Sequence, residues 1–282
     1  MLFGGRENKK SCYIFCPSSQ QLTRLPDLPT EKYYSKAIKV NGNVYLIGGE
    51  NNNTIEKYEV LPKSLKKVAT FRISPRRSFG MCLLNDEMLL IAGGIVGSYM
   101  DERVTNDCIL FNTNYKQFMF FKYDQFKHLP SMNFKREGQV LVDMSGIIYS
   151  IGGWNREDKD RCLASIEEFH PSTNEWKISP LKLQIGRGSH KAVAHKHFIY
   201  VFGGDCKAGL TPTIEKIDTL TKRVEIIATK LPNARIDFAV AKVDEKILLF
   251  GGMTATFDST DSAETNLKIK HELLSQNTQF LI

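Results

Sequence analysis

Six Gly-Gly doublets divide this chain into repeats of similar length. Each doublet ends a short apolar run, as in residues 200–204 (YVFGG). The first glycines lie at positions 4, 48, 93, 152, 203 and 251, so the successive steps are 44, 45, 59, 51 and 48 residues. Such a period is typical of β-propellers, in which each repeat forms one four-stranded sheet. Two glycines after an apolar strand allow a sharp turn and the close approach of another backbone segment.

Two further landmarks recur at fixed distances. A basic residue stands sixteen positions before each of the last five doublets: Lys32, Arg77, Arg136, Arg187 and Arg235. After each doublet, an apolar residue on one predicted strand is followed seven positions later by an apolar residue on the next. These pairs are Phe15 and Leu22, Tyr58 and Leu65, Phe111 and Phe118, Phe169 and Trp176, Ile217 and Val224, and Leu273 and Phe280. The distance from the doublet to each pair varies, so we predict fixed strands joined by variable loops.

The fourth repeat shows the most regular version of this pattern. It has Arg136 and Gly138, Tyr149 three residues before its doublet, and Phe169 followed seven positions later by Trp176. On these residues the chain resembles the kelch repeat family, whose pattern is Arg-x-Gly, aromatic-x-x-Gly-Gly and aromatic-x6-Trp. The resemblance covers essentially the full length, although Leu, Phe or Val replaces the tryptophan in the other repeats. Each replacement is still an apolar residue that can fill a core position.

The repeat and the resemblance together predict an all-β fold, a six-bladed kelch-type β-propeller of four-stranded antiparallel blades that forms one domain over residues 1–282. The predicted blades are about 1–31, 32–75, 76–134, 135–185, 186–233 and 234–282. Blade one is incomplete, because its doublet ends residues 1–5 and the chain therefore starts in a second strand. Residues 12–16 and 21–25 follow as its third and fourth strands.

Residues 280–282 are predicted as the last strand of blade six. Ring closure stays open among three alternatives: these residues close the ring after a register slip, the chain begins at an internal methionine, or closure is imperfect.

The loops are predicted to carry function. Residues 95–103, 155–161 and 253–266 follow doublets and are long, and the first of them contains apolar residues with no core to face. Residues 118–126 add an aromatic stretch to the rim of blade three, and exposed aromatic residues there suggest a contact surface.

The basic positions and the variable loops should emerge on the same face of the blades. We therefore predict a partner-binding surface formed by Lys32, Arg77, Arg136, Arg187, Arg235, Tyr99 and Trp154. A ring of bases suits an acidic protein segment, and the resemblance implies that arginines at this repeat position grip partner peptides. The alternative is that each arginine donates hydrogen bonds to loop carbonyls at a blade junction. Lys32 is the weakest candidate because it lacks the forked guanidinium group.

The composition excludes several classes of protein. With 42% apolar residues, 17 Phe and 10 Tyr, the chain can bury a core and is not intrinsically disordered. Its net charge of +7 is spread along the chain, without a nucleic-acid recognition motif. No apolar run is long enough for a membrane span and the first residues lack the signal-peptide pattern, so we expect a cytoplasmic protein without nucleic-acid or membrane partners. The six cysteines show no metal-site spacing, and we expect no metal and no cofactor.

The expected function is that of a non-catalytic scaffold or adaptor that binds a protein partner. Two alternatives stay open: a structural subunit of a cytoskeletal or ciliary assembly, and a small-molecule enzyme of the epimerase or lyase type that kelch propellers also support. The six histidines do not form the ligand set of the family's copper-radical oxidases. The resemblance also implies a route to ubiquitin ligases through a BTB or F-box domain, which here would require another chain.

Overall fold

The computed structural model is all-β. It describes residues 1–4, 9–16, 18–19, 21–32, 34–49, 53–61, 64–97, 100–114, 126–157, 161–243, 246–254 and 279–281. Every regular element in these ranges is a strand, and none of them contains a helix that could cross a membrane. The chain divides into two compact units, Met1–Leu129 and Pro130–Ile282.

The first unit contains three main sheets whose strands follow one another in chain order. Sheet one has three strands: Leu2–Phe3, Cys12–Cys16 and Gln21–Leu25. Sheet two has four: Lys36–Val40, Asn43–Ile47, Thr54–Leu61 and Ser64–Arg72. Sheet three also has four: Gly80–Leu83, Met88–Ala92, Cys108–Asn112 and Phe126–Leu129. All neighbouring strands in these sheets are antiparallel.

The second unit also contains three main sheets. Sheet four consists of Val140–Met144, Ile147–Ile151, Ser165–His170 and Glu175–Lys182. Sheet five consists of Lys191–His195, Phe198–Phe202, Thr213–Asp218 and Arg223–Lys230. Sheet six has the antiparallel pair Ala239–Val243 and Lys246–Phe250, with Gln279–Leu281 parallel to the second strand.

Short secondary pairings lie beside the main sheets. Ile95–Val96 pairs with both Arg76–Arg77 and Arg103–Val104. Arg235–Ile236 pairs with Met253–Thr254, and Asp205–Cys206 pairs with Gly209–Leu210. The pairings of Arg76–Arg77 with Ile95–Val96 and of Arg235–Ile236 with Met253–Thr254 join the crossover before a repeat's first strand to the loop after the same repeat's doublet, whereas the other two lie within one loop. In the third and sixth repeats, the crossover and the loop after the doublet were predicted to emerge on the same face, and they are hydrogen-bonded to each other.

The core lies between adjacent sheets of the same unit. The second strands are buried along most of their length, as in Asn43–Ile47 and Phe198–Phe202, because sheets pack against both of their faces. One cluster, which includes Tyr45, Phe79 and Phe111, joins sheets two and three. Another, which includes Tyr149, Ile166 and Ile199, joins sheets four and five. The fourth strand of sheet four interleaves buried and exposed residues, since only one of its faces is covered.

Several strand predictions are confirmed. Sheet one contains the two predicted strands with the expected bounds, and Phe15 faces Leu22. The pairs Phe169 with Trp176 and Ile217 with Val224 are also observed. In sheet two, Asn41 and Gly42 both have positive φ, as the two-residue hairpin requires.

Other strand predictions have different outcomes. Phe111 pairs with Phe126, the last residue of the 118–126 stretch, and Phe118 lies outside the described residues. Tyr58 and Leu65 lie on consecutive strands as predicted, but an irregularity shifts the register, so Tyr58 pairs with Lys67 and Leu65 with Val60. Gln279–Leu281 is the parallel neighbour of a second strand, so it does not form an antiparallel fourth strand in sheet six.

The loop at residues 95–103 also differs from expectation, since Ile95 and Val96 are buried by the secondary pairing. Most of the residues at 118–126 and 253–266 lie outside the described part of the chain, as does Leu273.

Candidate functional site

The crossovers before the first strands carry the basic residues, and their backbone defines a common register. Two residues after each base, the chain adopts positive φ, at Tyr34, Ser78, Gly138, Ser189 and Asp237. By this register the base of the third repeat is Arg76, one position before the residue that the spacing selected. The hairpin of sheet three is one residue longer than the others, so a count of sixteen from the doublet selects Arg77 instead.

Arg136 is completely buried at the start of the fourth repeat. Its Nη1 donates hydrogen bonds to the carbonyls of Gly152 at 2.7 Å and Ser165 at 2.9 Å. Its Nε donates to Glu167 Oε1 at 3.0 Å, and both side chains of this ion pair are fully buried. The carboxylate also accepts the backbone N–H of Asn133 at 2.6 Å. The pair therefore ties the crossover to the doublet and to the third strand of its own sheet.

Arg187 repeats this arrangement one sheet later. Its Nη1 donates to the carbonyls of Gly203 at 2.9 Å and Thr213 at 3.2 Å, and its Nη2 donates to Glu215 at 2.6 Å. Glu215 accepts the backbone N–H of Gln184 at 2.6 Å. Burial lowers the pKa of the Arg187 guanidinium, and the charge of Glu215 acts in the opposite direction.

Lys32 forms the corresponding ion pair in the second repeat. Its Nζ lies 2.9 Å from Glu56 Oε2, and the lysine side chain is fully buried. Glu56 also accepts hydrogen bonds from Lys67, Tyr58 and Thr30. Burial alone would raise the pKa of Glu56, but these bonds together with Lys32 lower it to about 2. A single ammonium group thus replaces the guanidinium fork and relies on a carboxylate.

The third repeat lacks the carboxylate. Arg76 is buried and its Nη1 donates to the carbonyls of Gly93 at 3.1 Å and Asp107 at 3.2 Å. Ile109 occupies the strand position that holds a glutamate in the fourth and fifth repeats, and within the described residues Arg76 Nε has no hydrogen-bond partner. Arg77 instead forms a two-pronged, partly exposed ion pair with Glu102 of the loop after the doublet.

Arg235 is the most accessible of the aligned arginines. It donates to the carbonyl of Gly251 at 3.0 Å, which matches the doublet contact of the other arginines, and it is half-buried. The side chains of Lys32, Arg136 and Arg187 use their polar groups within the chain, as the alternative interpretation expected of the arginines. These three residues are therefore left out of the surface that we propose below.

The glutamates that receive these bases were not predicted, although a sequence signal exists. Each follows an isoleucine near the start of a third strand: Glu56, Glu167 and Glu215. The signal is an Ile-Glu dipeptide whose glutamate lies two residues before the first of the two apolar residues that are spaced seven positions apart. A lone glutamate on an apolar strand costs free energy unless a cation neutralises it, and this cost indicates a buried partner.

The first glycine of a doublet is required by contact with the next repeat. A Cβ at Gly152 would lie 2.6 Å from the Arg187 carbonyl oxygen, closer than van der Waals contact allows. The N–H of Gly153 donates to the same oxygen at 2.8 Å. The doublets at Gly152 and Gly203 therefore each receive the guanidinium of their own repeat and the backbone of the following one.

Trp154 lies between two crossovers of the second unit. Its backbone forms bridges with Glu137 and Cys162, and its indole covers Gly138 and Gly188. A Cβ at Gly188 would be 2.5 Å from the ring, so a larger residue would displace it. Trp154 is half-exposed, and Arg156 beside it forms a 2.6 Å ion pair with Glu137. The predicted role of Trp154 in partner binding stays a prediction.

Two predictions remain, a partner-binding role for Tyr99 and the absence of a metal site. Tyr99 lies outside the described residues, and its neighbour Met100 is 91% exposed. Within the described ranges, no three His, Cys, Asp or Glu side chains come close enough together to hold a metal ion.

Comparison with known proteins relates the repeats to a family. The Kelch motif matches residues 144–180. Kelch-like protein 40 of Xenopus laevis is 30% identical over 149 residues, covering 52% of this chain and 23% of that protein. Alpha-scruin of Limulus polyphemus is 25% identical over 294 residues, covering 97% of this chain and 30% of that protein. This chain therefore spans less than a third of the length of either relative.

A solved structure supports the same fold. The structure of YjhT matches with a TM-score of 0.65 at 19% identity, covering 81% of this chain and 75% of that one. The predicted all-β fold of kelch-type propeller blades is confirmed by this match together with the Kelch motif and the antiparallel sheets.

Proposed function

Since the chain is a kelch-motif protein, and kelch propellers commonly bind other proteins, we propose that it is a non-catalytic scaffold or adaptor for a protein partner. The partner binds the loop face of the second unit. We define this face as the ends of sheets four to six at which the crossovers meet the loops after the doublets.

One observation carries this proposal, namely the backbone pairing of the loops with the crossovers. Trp154 N–H donates to Glu137 O at 2.7 Å, Asp205 N–H donates to Gly188 O at 2.9 Å, and Arg235 pairs with Thr254. These bonds hold the first residues of three variable loops in place. A surface that is ordered before binding loses less conformational entropy when a partner binds.

The exposed side chains on this face suggest the chemistry of the partner. Arg156 and Arg161 are exposed in the loop that follows the half-exposed Trp154, with Arg156 also paired to Glu137, and Lys207 is exposed in the loop after the next doublet. A flat indole beside several cations suits a segment that carries both carboxylates and an apolar residue. We therefore keep an acidic protein segment as the proposed partner, with these residues in place of the buried bases.

Affinity capture with the full chain tests the proposal. The loop-face variant carries Arg156→Glu, Arg161→Glu and Lys207→Glu, and the matched control carries three reversals on the outer strands: Lys177→Glu, Arg223→Glu and Lys230→Glu. After circular dichroism has shown that both are folded, captured proteins are identified by mass spectrometry. We expect the control to capture a partner as well as the natural chain does. Capture of the same partner by the loop-face variant should fall at least tenfold. Equal retention by both variants would contradict the proposal.

A further inference from the structure

A groove of about 590 Å³ lies between the fourth strands of sheets four and five. Ala164, Leu181, Leu183 and Val224 supply apolar lining atoms, and Lys182 and Lys222 line it as well. It is formed at the edges of the two sheets, whereas the loop face lies at their ends. The groove is therefore a second surface, independent of the proposed function.

The charged residues of the groove have a single sign. Lys182 and Lys222 are both exposed, and neither forms an ion pair within the described part of the chain. Other lysines on the same sheets do have carboxylate partners: Lys177 lies 3.8 Å from Glu175, and Lys216 lies 3.0 Å from Glu225. Two unpaired ammonium groups beside one groove favour an occupant that carries carboxylates.

An exposed aliphatic side chain lies beside the apolar lining. Ile226, two residues after Val224 on the same strand, is 38% exposed and pairs across the strands with Glu215. Leu220, in the turn that leads to Lys222, is 72% exposed. Large apolar residues clustered at one place on a surface are typical of a contact site.

We propose that this groove binds an extended acidic peptide segment with alternating aliphatic and carboxylate side chains. The outer strands Glu175–Lys182 and Arg223–Lys230 each have one edge outside the sheet pairing, so the peptide can hydrogen-bond to a strand edge. Its aliphatic side chains contact Val224 and Ile226, and its carboxylates pair with Lys182 and Lys222.

Fluorescence polarisation with a labelled probe peptide, Asp-Leu-Glu-Leu-Asp-Leu-Glu, tests this inference on the full chain. The groove variant is Lys182→Glu with Lys222→Glu, and the matched control is Lys177→Glu with Lys230→Glu, which reverses two exposed lysines outside the groove. We expect saturable binding that weakens at least tenfold in the groove variant and less than twofold in the control. A carbodiimide cross-link from the probe should map to Lys182 or Lys222.

Several results would overturn the proposal: equal binding to both variants, no saturable binding, cross-links elsewhere, or equal binding of a Lys-Leu-Lys-Leu-Lys-Leu-Lys peptide. Displacement of the probe by a single-stranded oligonucleotide would indicate a phosphate site instead. A change in sedimentation of the groove variant without probe binding to the unmodified chain would indicate a second copy as the occupant. The loop-face variant should bind the probe normally, so failure here leaves the proposed function untouched.

Discussion

The crossovers of the fourth and third repeats use an arginine in the same place but differ in what surrounds it. Arg136 donates to two carbonyls and to the buried Glu167, whereas Arg76 donates to two carbonyls and has Ile109 at the corresponding strand position. Hydrogen bonds from the arginine to two carbonyls are therefore common to both repeats, and only the fourth repeat adds a buried glutamate. Lys32 shows the opposite combination, a carboxylate without the fork.

This difference indicates two separate tasks. The guanidinium fork satisfies the carbonyls of the doublet and of the third strand, which are buried and need donors. The carboxylate neutralises the cation and receives backbone N–H groups of the crossover, as Glu167 does for Asn133 and Phe134. Removing the carboxylate should therefore lower the free energy of unfolding most in a repeat whose crossover N–H groups donate to it.

The largest expected effect is that of Glu167→Ala. It leaves the Arg136 charge buried without a counter-ion and leaves two crossover N–H groups without their acceptor, so we expect the free energy of unfolding to fall by about 3–5 kcal/mol. Urea unfolding followed by circular dichroism measures this. The control is Glu225→Ala, which removes an exposed carboxylate paired with Lys216 and should cost less than about 1 kcal/mol. Similar losses in the two variants would contradict a special role for the buried pair.

A pH-dependent effect of intermediate size is expected at Glu56. Its pKa falls from an ordinary value of 4.5 to about 2 in the folded chain, because the bonds from Lys32, Lys67, Tyr58 and Thr30 outweigh the effect of burial. A carboxyl with a lowered pKa stabilises the fold above its unfolded pKa, by on the order of 3 kcal/mol here, and loses this contribution as the pH falls towards 2.

The unfolding free energies of the natural chain and of Glu56→Gln, measured between pH 7 and pH 3, test this expectation. The gap between them should narrow as the pH falls below about 4.5. A gap that stays constant over this range would show that Glu56 acts only through its shape and hydrogen bonds.

The smallest effect is expected for Arg76→Met. It removes donors from the carbonyls of Gly93 and Asp107 but also removes a buried cation that has no glutamate at the third-strand position, so we expect a loss of only about 1–2 kcal/mol. Arg136→Met should cost more because it also leaves Glu167 buried without its cation. Urea unfolding of the two variants side by side measures the difference. A larger loss at Arg76 would mean that the carbonyl bonds, not the ion pair, dominate at both positions.

Much of the fold could be predicted because the glycine doublets and the apolar residues spaced seven positions apart reflect local requirements of the backbone. The Asn41-Gly42 hairpin is a clear case, since its two-residue turn needs positive φ at both positions. The outer strand of sheet three could not be predicted this way, because Phe126 and Phe118 are both aromatic and only packing against Phe111 selects between them.

The candidate site was predictable in position but less so in chemistry. The bases do lie in the crossovers, and the loops after the doublets do pair with them. The partners of the buried bases differ, since Arg136 pairs with Glu167 whereas Arg76 is buried with Ile109 at the corresponding strand position. The spacing between a base and its doublet does not distinguish these two cases.

By itself, the sequence determined the repeat, the all-β class and the place of each sharp turn, since these follow from glycines and from apolar alternation along the chain. The tertiary structure alone decided which bases are buried, that Arg76 and not Arg77 holds the doublet, and where Gln279–Leu281 pairs. The physical reason is that burial and ion pairing depend on groups distant in sequence. The free energy of a charge changes by several kcal/mol according to whether such a partner is present.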